Sequence, residues 1–190
     1  MTTLQTERLM LREFEEDDWL AVHEYASDPD VVKFMTWGPN TEEQTRDFVA
    51  RQIASQREEP RNHYGLAVVL KRQNRLMGSI ALNVSSPANR GGWIGYSLAR
   101  QFWGHGYATE AARAVVAFGF EQLDMHRIFA TCDPENVASA RVLEKIGMRR
   151  EGHLREHEWL RGKWRDSYLY AILQHEWERA KRGKSEQTST

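Results

Sequence analysis

The 190-residue sequence lacks several features that mark particular classes of protein. It contains a single cysteine, Cys132, and therefore cannot form an internal disulfide. Its first residues combine neither a basic segment nor an apolar stretch of signal-peptide length. No run approaches the roughly 18 apolar residues that a membrane-spanning helix requires. We therefore expect a cytoplasmic protein that does not bind membranes.

An excess of charge of either sign is also missing. The chain has 26 basic and 27 acidic residues, so its net charge is -1. Such a balance provides no overall field for nucleic acid, and we expect no DNA partner. The length suits one domain with a full core. Because residues 181–190 contain no apolar side chain, we predict one domain over residues 1–178 and a polar tail over residues 179–190.

The hydrophobic pattern alternates between the periods of strands and helices. We predict strands near residues 8–14, 64–70, 76–84, 93–98, 127–132, 154–160 and 164–173. We predict helices from about residue 16 to Asp28, from a capping box at Thr41 to a point before Pro60, from Gly106 to about 123, and over 136–146. A short element is expected at 31–35. This order predicts a mixed α/β fold with about seven strands and helices on the faces of the sheet.

The most informative segment is Gln101-Phe102-Trp103-Gly104-His105-Gly106, between a predicted strand and a predicted helix. Glycines let the backbone turn sharply, and the first amides of a helix are free to bind an anion. A dinucleotide fingerprint would need a third glycine where Thr109 stands, and a P-loop would need lysine and a hydroxyl residue where Tyr107 and Ala108 follow. The loop therefore predicts a phosphate site of another kind.

This loop resembles the coenzyme A pyrophosphate loop of the GNAT N-acetyltransferase superfamily. Three other segments extend the resemblance to the RimJ/RimL branch, whose members acetylate the N-termini of ribosomal proteins, and to nearly the whole chain, residues 4–178. Several separated motifs in the right order are more specific than one. The three segments are residues 6–12, 93–98 and 133–148.

The resemblance implies a central, mostly antiparallel mixed sheet that splays between its fourth and fifth strands. It implies direct transfer of acetyl from acetyl-CoA, the cosubstrate, to a primary amine in a ternary complex, without a metal. An amide in the Gly95–Ser97 stretch, with Tyr96 at its centre, is expected to donate to the thioester oxygen. The expected cofactor contacts are Ile94, Ser97, Leu98, Gln101, Phe102, Trp103, Gly104, His105, Gly106, Tyr107, Ala108, Thr109, Asn136 and Ser139.

For the general acid, the resemblance points to Ser139, with Asn136 beside it at the start of the same predicted helix. The broader superfamily often has a tyrosine four residues after this serine, where this chain has Leu143. Ser139 is therefore the preferred acid, and Asn136 and Tyr96 complete the predicted catalytic set. The alternative for Asn136 and Ser139 is helix capping, which both residue types favour.

The general base and the acceptor site are less clearly marked. A peptide α-amine has a pKa of about 7.7 to 8.0, against about 10.4 for lysine, so water can suffice as its base. Glu110, Glu156 and Glu158 are candidate bases by location, and Glu110 fits a structural role better. Trp37 and Glu158 are predicted to bind the acceptor, whereas Trp159 and Trp164 are interpreted as packing residues.

Three functions are consistent with this reading. The leading one is acetylation of a protein or peptide N-terminus, with a ribosomal protein as a possible partner. The second is acetylation of a small amine such as a polyamine, an amino acid or an aminoglycoside. The third is a non-catalytic acetyl-CoA-binding module, against which the retention of Ser139 beside Asn136 argues. Relatives often form homodimers, which is therefore a possible assembly for this chain.

Overall fold

A computed structural model of the protein describes residues 2–187, with side chains up to Gly183. Within that range eight strands form one sheet in the order β1-β2-β3-β4-β5-β6-β8-β7. Neighbouring strands are antiparallel, apart from the parallel pair β5–β6. The strands are β1 (Thr3–Gln5), β2 (Leu9–Arg12), β3 (His63–Leu70), β4 (Arg75–Ser86), β5 (Gly91–Leu98), β6 (Arg127–Cys132), β7 (Arg149–Leu160) and β8 (Lys163–Leu173).

The predicted helices are present, and local signals explain where several of them begin. Thr41 and Gln44 form the expected capping box, with reciprocal side-chain to backbone hydrogen bonds of 3.2 and 2.9 Å. The predicted short element is a single helical turn that begins at Pro29. The helices are α1 (Trp19–Ala26), α2 (Pro29–Val32), α3 (Glu42–Ser55), α4 (Tyr107–Glu121), α5 (Val137–Lys145) and α6 (Gln174–Gln187).

Three features differ from the sequence prediction. The sheet has one strand more than the seven expected, because β1 pairs with β2 although it is too short to show a periodic pattern. Strand β7 begins at Arg149, before the predicted residue 154, and its first residues are mainly polar. Helix α6 extends to Gln187 and so covers most of the predicted tail over residues 179–190. Residues 188–190 lie outside the described part of the chain.

The sheet separates two helical layers. Helix α4 packs on one face, where Phe118 meets the ring of Tyr64 and Gly119 lies against Ile128 and Leu82. Helices α1 and α3 cover the other face. The small size of Gly119 lets α4 approach closely, since a Cβ there would lie 2.7 Å from Ile128. Among the described helices, none is long and apolar enough to cross a membrane.

Strands β5 and β6 separate soon after they pair. Their ladder runs only from Gly91↔Arg127 to Trp93↔Phe129. On its other side β5 stays paired with β4 up to Leu98. From Ile94 onward, therefore, one edge of β5 has no neighbouring strand. This confirms the predicted splay, which lies between the fifth and sixth strands once β1 is counted.

Candidate active site

The gap between β5 and β6 contains a cavity of about 100 Å³, here called the gap cavity. It lies where β5 no longer has a partner strand, so backbone amides on that edge of β5 can face a ligand. Helix α5 closes one side. The lining residues are Phe34, Met35, Ile94, Gly95, Tyr96, Ala130, Thr131, Cys132, Asp133, Asn136, Ser139 and Leu143.

Two hydroxyl groups meet in this cavity. The phenol oxygen of Tyr96 lies 3.0 Å from Oγ of Ser139 and donates to the Ser139 carbonyl oxygen at 3.3 Å. Burial raises the pKa of Tyr96 well above the usual tyrosine range, and the Ser139 hydroxyl only partly offsets this. Tyr96 is therefore protonated at neutral pH and can donate a proton or a hydrogen bond. Only the backbone around Tyr96 was predicted to act, because strand periodicity does not reveal which helix its ring will meet.

Asn136 is the N-cap of α5. Its Oδ1 accepts a hydrogen bond from the backbone N–H of Ser139 at 3.1 Å. This is the capping alternative, and it places Ser139 on the first turn of the helix, facing the gap. Asn136 also lines the gap cavity. Its contact with Ser139 supports a positioning role more directly than a chemical one.

Cys132 also lines the gap cavity, at the end of β6. Burial raises its pKa to about 11, and the neighbouring carboxylates Asp133 and Glu144 act in the same direction. The side chain is therefore a thiol at neutral pH, whereas the nucleophilic form of cysteine is the thiolate. This environment disfavours a covalent acetyl-cysteine route.

A second and much larger cavity, about 600 Å³, adjoins the gap cavity along β5, and Gly95 and Tyr96 line both. Its floor is a row of small residues in register on three strands, Gly65, Ala81 and Gly95. Helices α1 and α3 and the segment 37–40 form the rest of its wall. We call this the large cavity. It is lined by Phe14, Val22, Tyr25, Ala26, Trp37, Gly38, Pro39, Asn40, Gln44, Phe48, Arg51, Gln52, His63, Gly65, Ser79, Ile80, Ala81, Asn83, Trp93, Gly95, Tyr96 and Ser97.

The charge of the large cavity is distinctive. None of the described residues that line it is an aspartate, a glutamate or a lysine. Arg51 is exposed on α3, and within residues 2–187 no carboxylate is paired with it. His63 contacts Asn83 Oδ1 at 2.6 Å through Nδ1 and Gln52 Oε1 at 2.8 Å through Nε2. Both ring nitrogens of His63 are thus in contact with protein amide groups.

The structure places only one of the two predicted acceptor-binding residues, Trp37, at a cavity. Trp37 lines the large cavity, half-exposed at its edge. Glu158 lies on β7 opposite Arg165 and lines none of the three cavities described here. The interpretation of Trp159 and Trp164 as core residues is wrong: they are 61% and 55% exposed. Their rings pack on each other at 5.3 Å across the β7–β8 hairpin, because cross-strand partners share a face.

The glycine loop has the geometry that the sequence predicted. Gly104 and Gly106 have φ values of 77° and 79°, in the left-handed region that favours glycine. The hydrogen bonds of α4 begin with Glu110 N–H donating to the Gly106 carbonyl at 3.0 Å. The amides of residues 107–109 therefore have no partner within the helix and lie at the positive end of its dipole. These groups can hold an anion.

Basic side chains lie beside this helix terminus. An open pocket of about 570 Å³, here called the basic pocket, is lined by Glu7, Arg8, Gly106, Thr109, Glu110, Arg113 and Lys145. Arg8 donates to the His105 carbonyl at 3.1 Å, and its guanidinium lies 4.5 Å from the centre of the Tyr107 ring. Together with the free amides at the start of α4, the three cationic side chains Arg8, Arg113 and Lys145 can bind the phosphates of a coenzyme A molecule.

These three cations, Arg8, Arg113 and Lys145, were not predicted from the sequence. Arg113 follows Thr109 by four residues on α4, and that spacing was a usable signal. Arg8 is distant in sequence and Lys145 comes from another helix, so no local pattern places either one in the pocket. Only the packing of β2 and α5 on α4 brings them there.

The other predicted cofactor residues fall into two groups. Those whose side chains are buried can offer the cofactor in the gap mainly their backbone: Ser97, Leu98, Phe102 and Tyr107, with Ala108 packed against the core. Those that reach the surface are Gln101, His105 and Trp103, whose indole N–H donates to the Leu98 carbonyl at 2.8 Å. Ser97 faces the large cavity and not the gap.

Glu110 accepts hydrogen bonds from the Thr6 hydroxyl at 2.6 Å, from Arg8 N–H at 2.9 Å and from Arg8 Nε at 2.6 Å. Burial alone would raise its pKa, but these donors outweigh burial and lower it. Glu110 thus fastens the N-terminal segment to α4 and keeps Arg8 at the basic pocket. This arrangement favours the structural role over that of a general base.

Comparisons with known proteins agree with this geometry. The family model of the acetyltransferase (GNAT) domain matches residues 8–149. The chain is 40% identical over 176 residues to the uncharacterized N-acetyltransferase YnaD of Bacillus subtilis (strain 168), covering 92% of this chain and 98% of the relative. A GNAT-family acetyltransferase from Bacillus anthracis has a crystal structure with a TM-score of 0.82 and 41% identity, covering 92% and 99% of the two chains.

A more distant relative is the [ribosomal protein uS5]-alanine N-acetyltransferase of Escherichia coli (strain K12). It is 31% identical over 85 residues, which are 45% of this chain and 44% of the relative. The family match spans most of the chain. The splayed strands, the glycine loop and the basic pocket fit acetyl-CoA, the cosubstrate of this family. The chain therefore belongs to the GNAT acetyltransferase family and is an acetyl-CoA-dependent N-acetyltransferase.

Proposed function

We propose that the acceptor is the α-amine at the N-terminus of a protein or peptide. The observation that carries this proposal is the large cavity, which reaches Gly95 and Tyr96 but has no carboxylate among its described lining residues. An α-amine with a pKa of about 7.7 to 8.0 is partly neutral at physiological pH and needs no strong base. A polyamine or aminoglycoside would bring several positive charges into a cavity that offers no counter-ion.

Different residues of this chain have different roles in the proposed reaction. Bound acetyl-CoA supplies a thioester whose carbonyl gains negative charge during attack and whose sulfur needs a proton as it leaves. The amides of residues 107–109 and the cations of the basic pocket hold phosphate groups. On the free edge of β5, amides near Tyr96 can donate to the developing oxyanion, and one such donor contributes about 3 kcal/mol to barrier lowering.

The general acid is the hydroxyl pair of Tyr96 and Ser139. Their 3.0 Å contact lets either hydroxyl donate a proton outward while it accepts one from the other. The raised pKa of Tyr96 keeps this pair protonated throughout the neutral range. The pair takes the role that a tyrosine at the position of Leu143 would have, and Asn136 holds the serine in place through its cap.

A free α-amino acid is the second candidate acceptor, and Arg51 is the observation that favours it. Arg51 lines the large cavity and is exposed, and no described carboxylate is paired with it, so it can bind an α-carboxylate. For a peptide, the same cation would meet backbone carbonyl oxygens beyond the first residue. The uS5-alanine N-acetyltransferase that this chain resembles in part supports the peptide.

The test is release of coenzyme A thiol from acetyl-CoA with parallel acceptors. These are peptides with free and with blocked N-termini, free amino acids, polyamines and aminoglycosides. We expect turnover with free peptide N-termini and none with the blocked forms. Turnover confined to amino acids would establish the second candidate, and turnover confined to polyamines or aminoglycosides would refute the α-amine proposal.

Variants of the hydroxyl pair test the mechanism on whichever acceptor reacts. We expect Ser139→Ala and Tyr96→Phe each to lower kcat by about 10-fold or more, and the double variant by about 10²-fold or more, with a small change in the KM for acetyl-CoA. Tyr64→Phe is the matched control, because this tyrosine lies on β3, two strands away from β5, contacts Phe118 and lines neither the gap cavity nor the large cavity. Equal losses in kcat and in acetyl-CoA affinity would show that the pair binds the cosubstrate and does not act as the acid.

A further inference from the structure

We infer that the inner end of the large cavity is a specificity site for an uncharged carboxamide on the side chain of the acceptor residue. The inference rests on the proposed α-amine function and adds the identity of the first residue. It comes from three hydroxyl groups that lie together under α1: those of Tyr25, Ser79 and Ser97.

The key observation is the hydroxyl of Tyr25. The residue is 1% exposed, lines the cavity, and has no hydrogen-bond partner for its phenol oxygen among the described residues. Burial raises the pKa of Tyr25 and the charge of Asp18 acts in the same direction, whereas the nearby hydroxyls of Ser79 and Ser97 lower it. Buried polar groups without a partner are rare in folded proteins, and this one faces a cavity that a ligand can enter.

The chemistry of the three hydroxyls defines what they can bind. Ser79 Oγ and Ser97 Oγ are 3.3 Å apart, and each hydroxyl can both donate and accept. A primary amide offers a donor and an acceptor on one planar group and so matches such a cluster. A carboxylate among these hydroxyls would add to the negative charge of Asp18, which already acts on Tyr25, and an ammonium group would find no acidic residue among the described lining residues.

The position of the cluster sets the length of the side chain. Ser97 and Gly95 are two residues apart on one face of β5, a distance of about 6.6 Å. The floor between the reaction end and the cluster consists of Gly95 and its partner Ala81, which leave room for an apolar stem. Val22 and Phe48 contribute apolar surface to the same cavity. A stem of one or two methylene groups that ends in a carboxamide, as in asparagine or glutamine, fits this arrangement.

The experiment compares three peptides that differ only in the first residue: glutamine, methionine and glutamate. These side chains have similar length but end in an amide, a thioether or a charge. We expect kcat/KM to be about 10-fold higher for glutamine than for methionine, and lowest for glutamate. We expect Tyr25→Phe to lower the glutamine value about 10-fold and to leave the methionine value within twofold.

Tyr64→Phe serves as the control, since its ring lies on the opposite face of the sheet, and we expect it to change none of the three values. A thermal unfolding curve shows whether Tyr25→Phe is folded. Equal losses for glutamine and methionine in Tyr25→Phe would mean that the hydroxyl has a structural role, and equal use of glutamine and glutamate would also overturn the inference.

Binding of the three N-acetylated product peptides, measured by calorimetry in the presence of coenzyme A, gives a readout that does not require turnover. We expect the glutamine peptide to bind most tightly and to lose this advantage in Tyr25→Phe. If no peptide reacts but this pattern of binding is found, the proposed function fails and the carboxamide site stands. If binding does not depend on the side chain, the carboxamide site fails whatever the turnover.

Discussion

Replacing Glu110 with glutamine separates the structural role of this carboxylate from a catalytic one. The variant keeps one acceptor oxygen for Thr6 and the Arg8 amide but loses the charge and the second oxygen that Arg8 Nε contacts at 2.6 Å. The N-terminal segment is then held to α4 by weaker bonds. We therefore expect a less stable protein, with the loss located at the junction of β2 and α4.

The magnitude follows from the exposure of the pair. Hydrogen bonds to charged groups contribute about 1.5 to 3 kcal/mol. The Glu110 side chain is 17% exposed but that of Arg8 is 42% exposed, so solvent weakens the interaction. We expect the free energy of unfolding to fall by about 1 to 2 kcal/mol at pH 7. For a chain of this size, that corresponds to a fall in Tm of about 2 to 8 °C.

The pH dependence gives the prediction a second test. Because hydrogen bonds from Thr6 and Arg8 outweigh burial, the pKa of Glu110 is lowered from its ordinary 4.5. A group with a lowered folded-state pKa stabilises the protein above its unfolded-state value, and this contribution disappears as the pH falls through the lowered pKa. The difference between wild type and Glu110→Gln should therefore be full at pH 7 and should shrink below pH 4.

The assay is urea unfolding of both proteins at pH 7 and at pH 4 or below, with kcat measured at pH 7. Glu121→Gln is the control, because Glu121 ends the same helix, is 43% exposed, and pairs with Lys181 at the surface. A fall in kcat of about 10²-fold with unchanged stability would refute this reasoning and make Glu110 the general base. If the stability difference between wild type and Glu110→Gln is as large at pH 4 or below as at pH 7, the charge of Glu110 is not the source of that difference.

Three further predictions follow from the site. Replacing Asn136 with alanine should cost about 1 kcal/mol of unfolding free energy through loss of the α5 cap, and Asn136→Asp should restore most of it in urea unfolding. Gly106→Ala should destabilise the protein by about 1 kcal/mol and raise the KM for acetyl-CoA, because φ is 79° at this position; an unchanged KM would remove the loop from the cosubstrate site. Because burial raises the pKa of Tyr96, we expect that ionisation of Tyr96 does not lower the kcat of the wild type up to about pH 10. If kcat does fall with rising pH in this range, the same fall in the pH-rate profile of Tyr96→Phe would confirm that other groups cause it.

Local patterns in the sequence correctly predicted much of this molecule. The capping box at Thr41, the turn glycines Gly104 and Gly106, and the strand of residues 127–132 depend on near neighbours in the chain, so their signals are complete within a few residues. Family resemblance added the splayed strands and the place of Ser139. Strand β1 and the exposure of Trp159 were missed, since a three-residue strand has no period and a hairpin sequence does not state which face is covered.

The sequence by itself determined the order of most elements, the turn glycines of the loop before α4 and the serine at the start of α5, because turn chemistry and helix termini are local properties. The tertiary structure decided which side chains meet. The register of β3, β4 and β5 places Gly65, Ala81 and Gly95 in one row, and this row makes the large cavity. The contact of Tyr96 with Ser139, and of Arg8 with the glycine loop, joins residues that are far apart in the chain. Such contacts arise from packing of the whole fold, which no local pattern encodes.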